Sequence, residues 1–89
     1  MRDRYLEVTF RKGRAFAAYL YLPRAPGARS ARTENFGGGL LADYDAAGRP
    51  IGLEITAPRR TTAAEINAVL ERLGQPRVHP DEVAPLQAA

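Results

Sequence analysis

The sequence predicts an α+β fold: an antiparallel meander of four to five strands, with one C-terminal helix packed on one face. Three observations carry this reading. Short segments between residues 5 and 56 alternate apolar and polar residues at period two. Two of them are separated by Asp45-Ala46-Ala47-Gly48-Arg49, which has the chemistry of a hairpin turn. A single apolar stripe of helical spacing follows, opened and closed by capping residues.

Taken in order, Tyr5 to Phe10 places Leu6, Val8 and Phe10 on one face and Tyr5, Glu7 and Thr9 on the other, as a half-buried strand does. Arg11-Lys12-Gly13-Arg14 is a polar turn. Ala15 to Leu22 is apolar on both faces, with Phe16, Ala18, Leu20 and Leu22 on one and Ala17, Tyr19 and Tyr21 on the other. That pattern predicts a central strand covered on both sides. Pro23 and Pro26 remove two ladder donors, so residues 23–32 form a loop. Ser30 to Phe36 alternates weakly and fits a short edge strand, and Gly37-Gly38-Gly39 permits a bend. The triple glycine lacks the Lys-Ser/Thr and helix start of a phosphate loop.

The hairpin over residues 40–56 organises the chain. Asp45 can accept backbone N–H bonds at the start of a type I turn, and Gly48 suits the left-handed position that closes it. Pairing Asp45 with Arg49 sets Asp43 opposite Ile51 and Leu41 opposite Leu53. Leu41, Ile51, Leu53 and Ile55 then make an apolar face ending in Asp43 and Asp45, with Leu40, Ala42, Tyr44, Gly52, Glu54 and Thr56 behind it. A slip of one residue would exchange these pairings. Pro58 ends the last strand. Thr62 and Glu65 have capping-box spacing, Ile66, Val69, Leu70 and Leu73 form one stripe, and Gly74 and Pro76 stop the helix. The single domain is therefore expected to span residues 1–74, with 75–89 as an extended or disordered tail.

Eighty-nine residues bound the protein to one small domain, whose core alone gives modest stability. With no Cys, neither a disulfide nor a thiolate metal site is available, so a partner subunit is the expected supplement. No apolar run approaches the ~20 residues that span a bilayer, and the N-terminal residues lack the apolar core of a signal peptide, so a cytoplasmic protein with no membrane partner is expected. Twelve of the thirteen basic residues are Arg. Residues 1–32 hold eight basic and two acidic residues, whereas 33–89 hold five and eight, so the positive charge sits in the first third.

Catalytic chemistry has little to draw on. Ser30 and His79 are the only Ser and His, and no triad forms around them. Asp43, Asp45 and Glu54 are the candidate functional carboxylates. Asp43, Asp45, Gly48 and Glu54 match positions of a calcium loop, but Ala47 and Ile51 occupy liganding positions and strands replace the flanking helices. No metal, cofactor or catalytic constellation is expected. Tyr19 and Tyr21 share a strand face and are the candidate interface, either for a second copy of the chain or for intramolecular packing. Arg11, Lys12 and Arg14 are candidate nucleic-acid contacts, with the same tyrosines as stacking platforms.

Residues 41–56 carry Asp43, Asp45, Gly48, Gly52, Leu53, Glu54 and Ile55 in the pattern Asp-x-Asp-x-x-Gly-x-x-x-Gly-Ile-Glu-Ile. This resembles the YuzE-like family of small uncharacterised prokaryotic proteins, and Ala18-Tyr19-Leu20-Tyr21-Leu22 is similar to that family's earlier apolar strand. The Asp that commonly precedes that strand's Ala is missing. The resemblance covers roughly residues 5–57 and implies a small mainly-β domain of unknown function. It also implies an antitoxin-like binder, since some members look like partners of small toxin-like proteins. The reading that follows is a non-enzymatic protein-interaction module, homodimeric through the tyrosine face, with nucleic-acid binding by the Arg-rich first third as the alternative.

Overall fold

The computed structural model describes residues 3–87. Five strands form one antiparallel sheet: β1 (Tyr5–Arg11), β2 (Arg14–Tyr21), β3 (Arg32–Gly37), β4 (Leu40–Tyr44) and β5 (Pro50–Ile55). A 3-10 turn (Pro58–Arg60), the helix α1 (Ala63–Arg72) and a 3-10 helix (Pro80–Gln87) follow.

The strand order is β1-β2-β5-β4-β3, so the sheet departs from the expected single meander. A hairpin (β1-β2) and a three-strand meander (β3-β4-β5) are joined edge to edge where β2 pairs with β5. The proline loop after β2 carries the chain across to the far edge, which leaves β5 to pair beside β2 in the interior of the sheet.

Local chemistry sets the turns. Lys12 and Gly13 both have positive φ (53° and 78°), as a two-residue hairpin turn of right-handed twist requires. The Asp45 N–H donates to the Arg49 carbonyl at 2.9 Å, as expected of the turn. The register beyond it differs from the expectation. Tyr44 pairs with Pro50, but Asp43 pairs with Gly52, Ala42 with Leu53 and Leu41 with Glu54. One extra residue bulges next to the proline, which has no N–H to give the ladder. The slip turns the side chains of β4 over relative to β5, whose Leu53 and Ile55 keep the core side. Leu40, Ala42, Tyr44, Leu53 and Ile55 face the core, and Leu41, Asp43, Gly52 and Glu54 share the opposite face.

The core lies on one side of the sheet. Ala18, Leu20 and Leu22 of the central region join Leu53 and Ile55, and Ile66, Val69 and Leu70 of α1 are buried in the same cluster. The Thr62–Glu65 capping box forms as its spacing predicts: the Thr62 hydroxyl accepts from Glu65 N–H at 3.1 Å, and a Glu65 carboxylate oxygen accepts from Thr62 N–H at 2.9 Å. Phe10 and Phe16, expected on the core face, are 49% and 51% exposed, because a bulge at Thr9/Phe10 shifts the end of the hairpin.

The segment expected to be an extended tail is part of the domain through Gln87. Val78, Val83 and Leu86 are buried in the core cluster. The buried Asn67 amide donates to the Val78 carbonyl (3.1 Å) and accepts from its N–H (2.7 Å). Arg4 donates to the carbonyls of Pro76 and Arg77 and pairs with Glu82, while Gln87 donates to the carbonyls of Pro58 and Thr61. An eight-residue 3-10 helix and three apolar side chains are therefore added to a lid that α1 alone leaves short.

Candidate functional site: the open face of the sheet

Among the described residues, no helix packs on the second face of the sheet. Two rows of paired residues cross it. One runs Thr33, Asp43, Gly52, Tyr21, Tyr5; the next runs Asn35, Leu41, Glu54, Tyr19, Glu7. Residues paired across strands share a face, so these ten residues form one surface.

Its centre is built by a diagonal. The Tyr19 ring leans out of its own row and lies over Gly52. A Cβ placed at Gly52 would sit 2.0 Å from the Tyr19 hydroxyl and 2.3 Å from its ring. Glycine is required there by close approach. The Tyr19 hydroxyl crosses that gap to donate to Asp43 Oδ2 at 2.7 Å, and the Thr33 hydroxyl donates to Asp43 Oδ1 at 2.6 Å. Burial, then the hydrogen bond and negative charge of Asp43, push the Tyr19 phenol well above its ordinary pKa, against a smaller opposite pull from Arg24. Tyr19 therefore stays protonated and serves as a donor.

Tyr21 extends the cluster. Its ring meets Tyr19 edge-on at 4.7 Å and stacks on Tyr5 at 4.5 Å with an interplanar angle of 13°. Its hydroxyl donates to Glu7 at 3.0 Å, and that hydrogen bond is the main reason its phenol is raised. The Arg24 guanidinium sits 5.2 Å over the Tyr21 ring and donates to the Ile51 carbonyl; its Nε is buried without a partner among the described residues. Three rings and one guanidinium thus form a fixed patch, with Glu7, Asp43 and Glu54 as its carboxylates.

The other expected residues lie elsewhere. Asp45 is a turn builder. It accepts the N–H groups of Ala47 and Arg49, both at 2.9 Å, and the Arg49 N–H chiefly holds its carboxyl below the usual range. Asp43 and Glu54, expected on opposite faces, share this one, and Glu54 is exposed. Among the described residues no group of three or more His, Cys, Asp or Glu is placed to hold a metal ion. No helix is long and apolar enough to cross a membrane among those residues. Arg11, Lys12 and Arg14 lie at the β1-β2 turn, five or more residues along β2 from Tyr19, so the structure does not bring them beside the tyrosines. Sequence reasoning missed Tyr5, Arg24 and Thr33. Tyr5 had a readable signal, because it shares period and face with Glu7; Arg24 and Thr33 depend on loop path and strand order.

A sequence profile of the family described as "Protein of unknown function (DUF2283)" matches residues 17–57. The matched segment holds Tyr19, Gly52 and Asp43, the three residues of the diagonal, and stops before α1. No curated protein and no solved structure matches the chain.

Proposed function

We propose that the protein is a non-enzymatic interaction module that binds another protein through the open face of its sheet. The observation that carries this is the preorganised aromatic cluster of Tyr5, Tyr19 and Tyr21, with ring centroids 4.5 and 4.7 Å apart, on a face that no element of the described residues covers. Open faces of antiparallel sheets are ordinarily polar. Tyrosine and arginine are the residue types on which binding energy concentrates, and rings already held by Asp43 and Glu7 lose little freedom when a partner arrives. The carboxylates are occupied structurally: both oxygens of Asp43 accept hydrogen bonds, and Asp45 closes a turn. That use supports binding over acid–base chemistry.

Charge selects the occupant. Glu7, Asp43 and Glu54 favour a protein surface that brings cations. A homodimer through the same tyrosines would set these carboxylates against their equals, unless the two sheets were offset. An antitoxin-like role, as the YuzE-like resemblance implies, is the finer form of this reading, and a small basic protein encoded beside this chain is the first bait to use. The expected result is a complex formed by the wild type, lost in Tyr21→Ala and Glu54→Lys, and kept in Arg59→Ala. Binding insensitive to both face variants would refute the assignment. Light scattering that showed a stable dimer, broken by Tyr21→Ala, would replace the foreign partner with a second copy.

A further inference from the structure

We propose that the tip of the β1-β2 hairpin and the Pro58–Arg60 turn together form a docking site for single-stranded nucleic acid. This surface is separate from the tyrosine face. Arg11, Lys12, Arg14 and Phe16 line a shallow depression together with Arg59, and a second depression shares Phe16 and Arg59 and adds Arg60. The five cations come from segments more than forty residues apart, so only the fold gathers them. All five are exposed, no carboxylate lines either depression, and none of the five makes an ion pair among the described residues.

Two further features separate this patch from an ordinary solvated surface. Phe16, which lines both depressions, is about half exposed, and the Arg11 guanidinium lies 4.2 Å over its ring. A phosphate-pairing charge and a stacking surface therefore occupy one spot, the combination that holds unpaired bases without reading their sequence. The turn also holds Lys12 at φ 53°, where Asn or Gly would be less strained. A cation stands at the apex despite that cost. The tyrosine face lacks this character, because Glu7, Asp43 and Glu54 lie among its rings and repel phosphate.

The test is fluorescence anisotropy of a labelled oligothymidine of about 16 nucleotides, titrated with the full chain. Five phosphate contacts to a single strand give a log–log salt slope of about −3.5, so affinity falls about a hundredfold between roughly 50 and 200 mM salt. Arg59→Ala/Arg60→Ala brings the slope to about −2.1. Phe16→Leu keeps the charge and weakens binding roughly tenfold at fixed salt. Tyr21→Leu leaves both unchanged. Circular dichroism confirms that each variant is folded, as expected for the exposed Phe16, Arg59 and Arg60 and the half-buried Tyr21. Absence of binding at low salt overturns the proposal, and so does a slope unmoved by the double substitution. Equal losses for Tyr21→Leu and Phe16→Leu would also overturn it. So would low-salt self-association that the oligonucleotide fails to disperse, since the basic tip would then be meeting the acidic face of another copy.

Discussion

Gly52→Ala tests the geometry of the open face most directly. The backbone at Gly52 is not left-handed, so alanine meets no conformational penalty there; the conflict is with the Tyr19 ring, 2.3 Å from the added Cβ. The ring must swing away. It then gives up a hydrogen bond to a charged acceptor, about 1.5–3 kcal/mol, and an edge-to-face pair with Tyr21, about 0.5–1.5 kcal/mol. Alanine returns roughly 0.5–1 kcal/mol through lower chain entropy than glycine in a strand. The balance centres near a loss of about 2 kcal/mol, so thermal unfolding should shift down by roughly 8–16 °C for a domain of this size. The decisive assay is a double-mutant cycle with Tyr19→Ala, since contacting residues couple. With the ring removed, Gly52→Ala should be neutral or mildly stabilising. An equal cost in both backgrounds, or none in the wild type, would refute the account.

Four further outcomes are expected. Thr62→Ala removes the hydroxyl of the capping box and should cost about 1 kcal/mol, read as a fall in thermal midpoint of roughly 4–8 °C. Leu86→Ala empties a fully buried site in the C-terminal 3-10 helix and should cost about 2–5 kcal/mol in urea unfolding; a loss near zero would mean that this segment is undocked in solution. The Asp45 carboxyl has a lowered folded-state pKa, so its stabilisation is present above the unfolded carboxylate value and is lost as pH falls through the lowered one. Thermal scans between neutral and acid pH should therefore fall less steeply in Asp45→Asn than in the wild type. The Tyr19 phenol shifts upward, so its contribution holds below the unfolded value near 10 and fades as pH rises above it; in an absorbance titration, replacing Tyr19 by Phe should remove the last tyrosine to ionise.

The parts of the fold that depend on local chemistry were legible. The helix, its capping box and the Asp45–Arg49 turn follow from residues within four positions of one another. The register of the central hairpin was not, and the reason is a single residue. Turn chemistry fixed Asp45 against Arg49, but the bulge beside Pro50 shifted the register by one, which turned the faces of β4 over relative to β5. Two signals pointed that way: proline cannot complete the ladder, and Leu40, Ala42 and Tyr44 alternate as a buried set. The β2-β5 pairing was hidden because the two strands are separated by about thirty residues that include two others. The candidate site follows the same division. Tyr19, Tyr21, Asp43 and Glu54 were singled out individually, but their gathering on one face required the slipped register. Docking of residues 78–86 was missed because three apolar side chains among prolines have too short a pattern to show a period.

The order in which the core is completed bears on synthesis. The sheet is fully translated at Ile55, yet the side chains that seal its apolar side extend to Leu86, thirty-one residues later. At ribosomal rates of 5–20 residues per second, that interval lasts about 2–6 s. For those seconds the nascent chain carries a finished set of strands with one greasy side bare. Transiently exposed apolar surface of this kind is prone to aggregation, and a pause in translation after Ile55 would lengthen that exposure.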